Sequence, residues 1–138
     1  EELTLVHELS SRIFADAFLY SPISRDEFLA LYAGIERFLE PELVLFAESS
    51  DGESVGFVFG YEDPTQPAVH YKTIGVLPDW RGPGVAAALS HHVYSAALRR
   101  GRPQGSHPLM RSDNRSQALD QGHGDVFRRY VLYEWTGA

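Results

Sequence analysis

The feature that most constrains how this chain can fold is a strand, a tight turn and a helix that follow one another near its centre. An apolar, β-rich segment ends at Pro78, and a turn containing Gly82, Pro83 and Gly84 follows it. Beyond the turn, apolar residues recur at helical spacing, at Val85, Leu89, Val93 and Ala97. A helix that begins in this way directs its unpaired backbone N–H groups and the positive end of its dipole towards the turn, which suits a bound phosphate.

The turn taken alone has two interpretations. Gly82 and Gly84 let the backbone approach an anion with no side chain in the way, and Pro83 has the fixed φ that suits a first helical position. A Gly/Pro turn can equally do no more than start a helix, and an isolated Gly-x-Gly is a weak signal. The neighbouring residues are therefore needed to choose between these interpretations.

Those neighbours extend the pattern to Arg81-x-x-Gly84-x-Ala86, with Val76 and Pro78 at the end of the preceding strand. This pattern resembles the acetyl-CoA-binding motif Gln/Arg-x-x-Gly-x-Gly/Ala of the GCN5-related N-acetyltransferases, in which the turn holds the CoA pyrophosphate. The cofactor-binding residues that the resemblance implies here are Arg81, Gly82, Pro83, Gly84, Val85, Ala86 and Ala87. Pro83 departs from a full set of donors because it has no backbone N–H.

Composition excludes several classes of function. A chain of 138 residues with 43% hydrophobic and 22% charged residues fits one ordinary α/β or α+β domain with a real core. The absence of cysteine excludes disulfides and thiolate metal sites and agrees with a cytoplasmic protein. No apolar run has the length of a membrane span, and a net charge of −7 argues against nucleic acid. We therefore predict no metal, no membrane partner and no nucleic-acid partner.

Periodicity predicts the order helix, helix, hairpin, strand, turn, helix, strand, helix, strand. The predicted segments are 2–18, 24–39, 43–48 paired with 54–61, 69–77, 85–100, 106–111, 114–121 and 126–135. Ser24 and Glu27 form a capping box, and Asp51-Gly52 is a hairpin signal. The order resembles the acetyltransferase family, which implies a central mixed, mostly antiparallel sheet flanked by helices.

The family's opening strand has no counterpart in the predicted order, because the chain begins in helix. We expect residues 1–138 to form a single domain of this family, either by itself or cut from a longer or tandem protein. A sheet that lacks its first strand would expose an edge, and an exposed edge favours a homodimer.

The expected chemistry is thioester aminolysis, which needs a neutral amine and a stabilised carbonyl oxygen. In the family, a backbone N–H at a bulge in the strand before the turn holds that carbonyl, which implies a role for Ile74, Gly75 and Val76, with Gly75 as the bulge residue. Some members place a glutamate four residues before the position of Ile74, where this chain has His70. A histidine has an ordinary pKa near 6.5 and could accept the proton, but a strand histidine that merely faces solvent is an equal alternative.

Two other residues bear on the acceptor side. His107 lies on the next strand, which splays in this family to admit the pantetheine arm, so it is the second candidate base. Lys72 has the same strand parity as His70, and its charge counts against a simple polyamine acceptor. The family also implies that the first two helices form one wall of the acceptor pocket.

Asn114 matches the family's asparagine that contacts the pantetheine, although a helix cap would explain it almost as well. The tyrosine that many members use as the acid, seven residues later, is replaced here by Gln121, or by Asp120 in an alignment on a later glycine. The acid that protonates the departing thiolate could then be Tyr130, Tyr133 or water, or the reaction could need no acid at all. Three arginines are candidates for the 3′-phosphate of CoA, namely Arg99, Arg100 and Arg115.

The sequence therefore predicts an N-acetyltransferase that moves an acetyl group from acetyl-CoA to a primary amine by direct attack. The acceptor would be a small molecule or a peptide. Two alternatives stay open: a CoA-binding regulatory or structural domain with impaired catalysis, and a transferase for another acyl-CoA.

Overall fold

The computed structural model describes residues 2–82, 84–120 and 124–137, and in it the chain divides into two compact units. The first unit is Glu1–Pro108 and the second is Leu109–Ala138. The elements of the first unit are α1 (Glu2–Ile13), α2 (Arg25–Leu31), β1 (Val44–Glu48), β2 (Ser54–Glu62), β3 (Ala68–Val76), α3 (Val85–Arg99) and β4 (Gln104–Ser106). Among the described residues, no helix has the length and apolarity needed to cross a membrane.

The four strands form one sheet in the order β1-β2-β3-β4. β1 pairs with β2 and β2 with β3 in antiparallel fashion, whereas β3 and β4 are parallel. The parallel pairing spans only three residue pairs and ends at His70 and Ser106, while β3 continues to Val76. This confirms the predicted fold class, a mixed and mostly antiparallel sheet flanked by helices.

Each face of the sheet has its own apolar cluster, because successive strand residues point to opposite faces. Phe57 belongs to the cluster under α1 and α2, and the next residue, Val58, belongs to the cluster under α3. The α3 side of the sheet also buries the predicted helical stripe of Leu89, Val93 and Ala97. The spacing of apolar residues along the chain therefore fixed which face of each helix is buried.

The first two helices are shorter than predicted. α1 ends at Ile13, and Phe18, which was expected on its apolar stripe, is 62% exposed. α2 has the predicted capping box, in which Glu27 N–H donates to the Ser24 hydroxyl, but it ends at Leu31. Gly34 follows with a φ of +81°, a left-handed conformation that interrupts a helix, so the continuation to residue 39 was wrong.

The predicted bulge at Gly75 was also wrong. Gly75 is in regular register with Phe57, and the irregularity lies between Phe59 and Gly60, where β3 carries Lys72 as an extra residue. Gly75 has a different role: a Cβ there would lie 3.0 Å from Cγ2 of Ile13. The glycine therefore lets the end of α1 pack closely on β3.

The C-terminal predictions were the least accurate. β4 ends at Ser106 instead of continuing to residue 111, and Pro108, which has no N–H for a strand ladder, follows closely. In the second unit, Arg115–Asp120 form a 3₁₀ helix, and 124–137 have no regular secondary structure. The strand predicted over 126–135 was wrong, because a strand needs a hydrogen-bonded neighbour and this segment pairs with none of the described strands.

Candidate functional site

The turn before α3 is built on two glycines with left-handed backbones. Gly82 has a φ of +104° and Gly84, the N-cap of α3, has a φ of +86°. A Cβ added at either position would meet nothing within 4 Å, so the requirement for glycine is one of backbone conformation and not of space. Pro83, which stands between these two glycines, lies outside the described residues.

The first turn of α3 has features that suit an anion. The first hydrogen bond within α3 is donated by Ala88 N–H to Gly84 O, at 2.9 Å. The preceding N–H groups, those of Val85, Ala86 and Ala87, belong to the first turn, for which an α-helix provides no carbonyl partner. Ala87 is exposed, and the first turn contains no acidic residue. The helix dipole adds a positive potential at the same place. These residues therefore fit the binding of a phosphate group.

Arg81 supports the turn by bonding to the protein itself. Its Nε donates to Val76 O at 3.1 Å, and its Nη2 donates to Ile13 O at 3.1 Å. The guanidinium thus joins the end of β3 to the last turn of α1, whose terminal carbonyls have no partner within the helix. In this arrangement Arg81 holds the turn in place, and Ile74 and Val76 belong to the strand that it anchors.

His70 has hydrogen-bond partners on both ring nitrogens. Nδ1 lies 2.7 Å from Ser106 Oγ, and Nε2 lies 2.8 Å from Asp63 Oδ2. The side chain of His70 is 24% exposed, so the alternative of a histidine that merely faces solvent does not describe it. Tyr61 contacts the ring from the neighbouring strand, with centroids 5.2 Å apart.

Asp63 is itself held by the turn that follows β2. Its Oδ1 accepts hydrogen bonds from the Thr65 hydroxyl and N–H, both at 2.7 Å, and from Gln66 N–H at 3.2 Å. These bonds, with the one from His70, place the pKa of Asp63 well below its usual value. The carboxylate is therefore ionised and accepts a hydrogen bond from Nε2–H of His70.

His107 lies on the opposite face of the sheet. Its ring stacks on Tyr71 with centroids 4.5 Å apart, and its Nε2 lies 3.4 Å from the Tyr94 hydroxyl. Tyr71 is buried, and its hydroxyl donates to Ser90 O on α3. Because His70 and Tyr71 are consecutive in β3, their side chains point to opposite faces. The two candidate bases are therefore not brought together.

A small cleft of about 40 Å³ lies between the sheet and the first two helices. Lys72 and Thr73 of β3 form one side of it, and Phe28 and Tyr32 form another. The Lys72 ammonium lies 5.5 Å from the centroid of the Tyr32 ring, a cation–π contact. The cleft is thus mainly apolar and has a positive charge at its border.

The arginines at the far end of α3 pair with carboxylates. Arg99 bonds to Glu42 at 2.9 Å, and Arg100 bonds to Glu40 at 2.8 Å and to Glu62 at 2.6 Å. The bond from Arg100 lowers the pKa of Glu62. Since α3 has 15 residues, this end lies about 20 Å from the turn that precedes it. Neither arginine is therefore within reach of a phosphate that is bound at the turn.

In the second unit, Asn114 caps the short 3₁₀ helix, because its Oδ1 accepts a hydrogen bond from Ser116 N–H at 2.9 Å. Tyr130 is 64% exposed, and its hydroxyl accepts a hydrogen bond from Arg128 at 3.2 Å. Gln121, which stands where many family members have tyrosine, lies outside the described residues. Over the described part of the chain, no group of three His, Asp or Glu side chains could hold a metal ion.

Asp63 and Ser106 were not among the residues that the sequence singled out. Asp63 belongs to a segment with two prolines that reads as a plain loop, and Ser106 reads as the start of a strand. Asp63-x-Thr65 is typical of a turn in which the aspartate accepts backbone hydrogen bonds, which was the available signal. Nothing local connects Ser106 to His70, which stands 36 residues earlier.

Comparison with known proteins gives the family to which this fold and this turn belong. The sequence model of the acetyltransferase (GNAT) family matches residues 5–115, so this chain belongs to that family. Over 82 residues the chain is 42% identical to an acetyltransferase of Pectobacterium atrosepticum and 40% identical to one of Sodalis glossinidius. Each match covers 58% of this chain and 55% of the relative, so the chain spans about half the length of these curated relatives.

Solved structures are similar in fold. A GCN5-related N-acetyltransferase from Sphaerobacter thermophilus matches with a TM-score of 0.69 and 24% identity, over 87% of this chain and 36% of that chain. The enzyme AAC(6')-Iy, in complex with a bisubstrate analogue named CoA-S-monomethyl-acetylneamine, matches with a TM-score of 0.65 and 21% identity, over 99% of this chain and 92% of that one. The ribosomal-protein-S18-alanine N-acetyltransferase of Escherichia coli matches with a TM-score of 0.60 and 20% identity, over 87% and 68%.

Proposed function

We propose that this protein is an N-acetyltransferase that transfers the acetyl group of acetyl-CoA to a primary amine by direct attack. The observation that carries the proposal is the first turn of α3 behind Gly82 and Gly84, where a helix has N–H groups without intrahelical carbonyls and where no acidic residue lies. A CoA pyrophosphate matches such a site in charge and in hydrogen bonding. Membership of the acetyltransferase family supports the same conclusion.

The chain's own residues would have three tasks in this reaction. Acetyl-CoA supplies an acetyl group activated as a thioester. The backbone of Ile74, Gly75 and Val76 would orient its carbonyl, because β3 extends beyond its last pair with β4 and pairs there with no other strand of the described residues on that side. His70 would take the proton of the amine, and the ionised Asp63 would stabilise the charge that the ring gains.

The acceptor would enter by the cleft that Lys72, Thr73, Phe28 and Tyr32 line. At about 40 Å³ the cleft has room for little more than one water molecule, so an acceptor would have to widen it. The ammonium of Lys72 would repel a polycationic acceptor and favour an amine that also has an anionic group. We therefore expect a different preference from that of AAC(6')-Iy, whose bisubstrate complex contains an acetylneamine group.

The departing thiolate has several possible proton donors. Tyr130 is the candidate acid among the tyrosines, and Asn114 is the candidate contact for the pantetheine arm. A thiolate is a tolerable leaving group, so the reaction does not depend on an acid. A CoA-binding domain with impaired catalysis remains the second candidate, because Pro83 has no N–H to donate to a phosphate.

The location and assembly that we propose follow from the sequence and the sheet. The absence of cysteine agrees with the cytoplasm. Val44–Glu48 form an edge strand of the sheet, which could pair with a second copy in a homodimer. Light scattering coupled to size-exclusion chromatography would measure the mass in solution, and a monomer at high concentration would contradict the dimer.

The test of the proposed function is a calorimetric titration with acetyl-CoA and with free CoA. Ala87→Glu puts a negative charge on the exposed first turn of α3, where the helix dipole tolerates it but a phosphate does not. We expect acetyl-CoA to bind at least about 10-fold more weakly, which corresponds to about 1.4 kcal/mol. Leu98→Glu, an exposed position near the other end of the same helix, is the matched control and should bind like the wild type.

Either of two results would refute this assignment. Wild-type protein that binds neither CoA nor acetyl-CoA would exclude both the enzyme and the CoA-binding domain. Equal binding by the wild type and by Ala87→Glu would show that the pyrophosphate lies elsewhere. Titration with propionyl-CoA and succinyl-CoA tests the remaining alternative, a transferase for another acyl group.

A further inference from the structure

Ser106, His70 and Asp63 form a continuous chain of hydrogen bonds at the end of the β3–β4 pairing. We propose that Ser106 is a catalytic residue, whose hydroxyl takes a proton from the ammonium group of the acceptor and passes its own to His70, while Asp63 positions the ring. This inference rests on the proposed function, which assigns only His70 as the base. It adds the group that touches the substrate.

The hydrogen bonds determine the direction in which a proton can move. Asp63 is ionised, so its Oδ2 accepts a hydrogen bond from Nε2–H of His70 at 2.8 Å. In the neutral ring, Nδ1 then carries the lone pair and accepts the hydroxyl hydrogen of Ser106, whose Oγ is 2.7 Å away. Since the hydroxyl donates to the ring, the lone pairs of Oγ are directed elsewhere and can accept a hydrogen bond.

The transfer balances without any further reactant. The ammonium N–H bond breaks as a new O–H bond forms on Ser106, and the original hydroxyl proton moves to Nδ1 of His70. The serine hydroxyl is regenerated, the ring becomes an imidazolium next to the carboxylate of Asp63, and the amine gains the lone pair needed for attack. The imidazolium later releases its proton to the departing thiolate or to solvent.

The position of the chain in the fold suits this role. Ser106 pairs with His70 in the last register position of the two parallel strands, so it lies where β3 loses its neighbour. Its side chain is partly exposed. Lys72, which lines the cleft, follows His70 by two residues, about 7 Å along the strand. The serine end of the relay therefore lies close to the proposed acceptor site, whereas Asp63 is buried behind the ring.

The same hydrogen bonds could serve only to fasten β3 to β4, so the test must separate catalysis from structure. Release of CoA from acetyl-CoA is measured between pH 6 and pH 10 with three acceptors, namely a free amino acid, a peptide with an N-terminal alanine and a lysine-containing peptide. The variants are Ser106→Ala, Ser106→Thr and Asp63→Asn. Tyr94→Phe is the matched control, because it removes a hydroxyl next to His107 on the other face of the same strands.

We expect Ser106→Ala to lower kcat about 100-fold at pH 7, with little change in the KM for acetyl-CoA. The loss should shrink towards pH 10, where the acceptor amine is already neutral in solution. Ser106→Thr keeps a hydroxyl and should recover most of the activity, and Asp63→Asn should lose activity as Ser106→Ala does. Tyr94→Phe should stay within about twofold of the wild type.

Three results would overturn the relay. If the wild type acetylates an amine and Ser106→Ala equals it at every pH, the proposed function stands and the relay falls. A loss that is the same at every pH and that Ser106→Thr does not rescue means that the serine is only structural. If the folded wild type releases no CoA with any of the three acceptors, the proposed function fails and the relay fails with it.

Discussion

The two faces of β3 each hold a histidine, but in different surroundings. On the face towards α1 and α2, His70 lies between the carboxylate of Asp63 and the hydroxyl of Ser106. On the face towards α3, the ring of His107 stacks on Tyr71. The first histidine has a carboxylate on one ring nitrogen and a hydroxyl on the other, whereas the second has an aromatic partner next to the core.

The two sets of partners have different effects on the histidine ring. A carboxylate on one ring nitrogen fixes the tautomer and the orientation of an imidazole, which suits the role proposed for His70. An aromatic stack contributes packing. The sequence could not separate the two histidines as candidate bases, and the partners of His70 support the proposal that it is the base.

The largest expected effect is the loss of stability when the tyrosine that contacts each histidine is replaced by alanine. Tyr71 is 2% exposed and contacts α3, whereas Tyr61, beside His70, is 36% exposed. We expect Tyr71→Ala to lower the free energy of unfolding by about 3–5 kcal/mol, because it leaves a cavity and removes a buried hydrogen bond. Tyr61→Ala should cost about 1 kcal/mol. Urea denaturation measures both, and similar losses would show that the two faces do not differ in packing.

The next effect concerns activity. His70→Ala should lower kcat about 100-fold, because it removes the proposed proton acceptor, and this corresponds to about 2.7 kcal/mol in the barrier. His107→Ala should keep kcat within about threefold and instead reduce stability, since it removes a ring from the stack on Tyr71. Initial rates with saturating acetyl-CoA and thermal unfolding of both variants provide the comparison. A larger loss of kcat in His107→Ala would reverse the assignment of the base.

Local signals in the sequence predicted a large part of the fold. The capping box at Ser24, the hairpin at Asp51-Gly52 and the apolar stripe of α3 depend on residues a few positions apart, and all are confirmed. The turn at Gly82 and Gly84 is confirmed in the helix that it starts. Such features follow from short-range sterics and hydrogen bonding, so a local pattern is sufficient to find them.

Features that depend on distant parts of the chain were not predictable in this way. Ser106 meets His70 only because a parallel pairing brings together residues 36 positions apart. The aromatic residues over 126–135 describe a segment that could pair as a strand, but pairing also needs a neighbour. The bulge at Lys72 belongs to the register between two strands and has no signature of its own. Strand register is therefore the information that the sequence pattern lacked.

The smallest expected effect is a pH dependence of the free energy of unfolding, which should come from the His70 face of β3 and not from the His107 face. Hydrogen bonds from Thr65 and His70 lower the pKa of Asp63 in the folded state. A carboxyl group whose pKa is about 3.9 when unfolded, and lower when folded, stabilises the fold above that pH. This contribution is lost as the pH falls through the folded value. The stability difference between the wild type and Asp63→Asn should therefore be largest above about pH 5 and should shrink as the pH falls below about 4.

Urea denaturation from pH 3 to pH 6 measures this difference directly. Asp51→Asn, at the exposed hairpin turn, is the matched control and should change stability little across the range. Tyr94→Phe, on the His107 face, removes no titrating carboxyl, so its effect on stability should be nearly independent of pH over this range. A constant difference between the wild type and Asp63→Asn from pH 3 to pH 6 would mean that the hydrogen bonds of Asp63 do not depend on its charge. The two faces of β3 would then differ in packing alone.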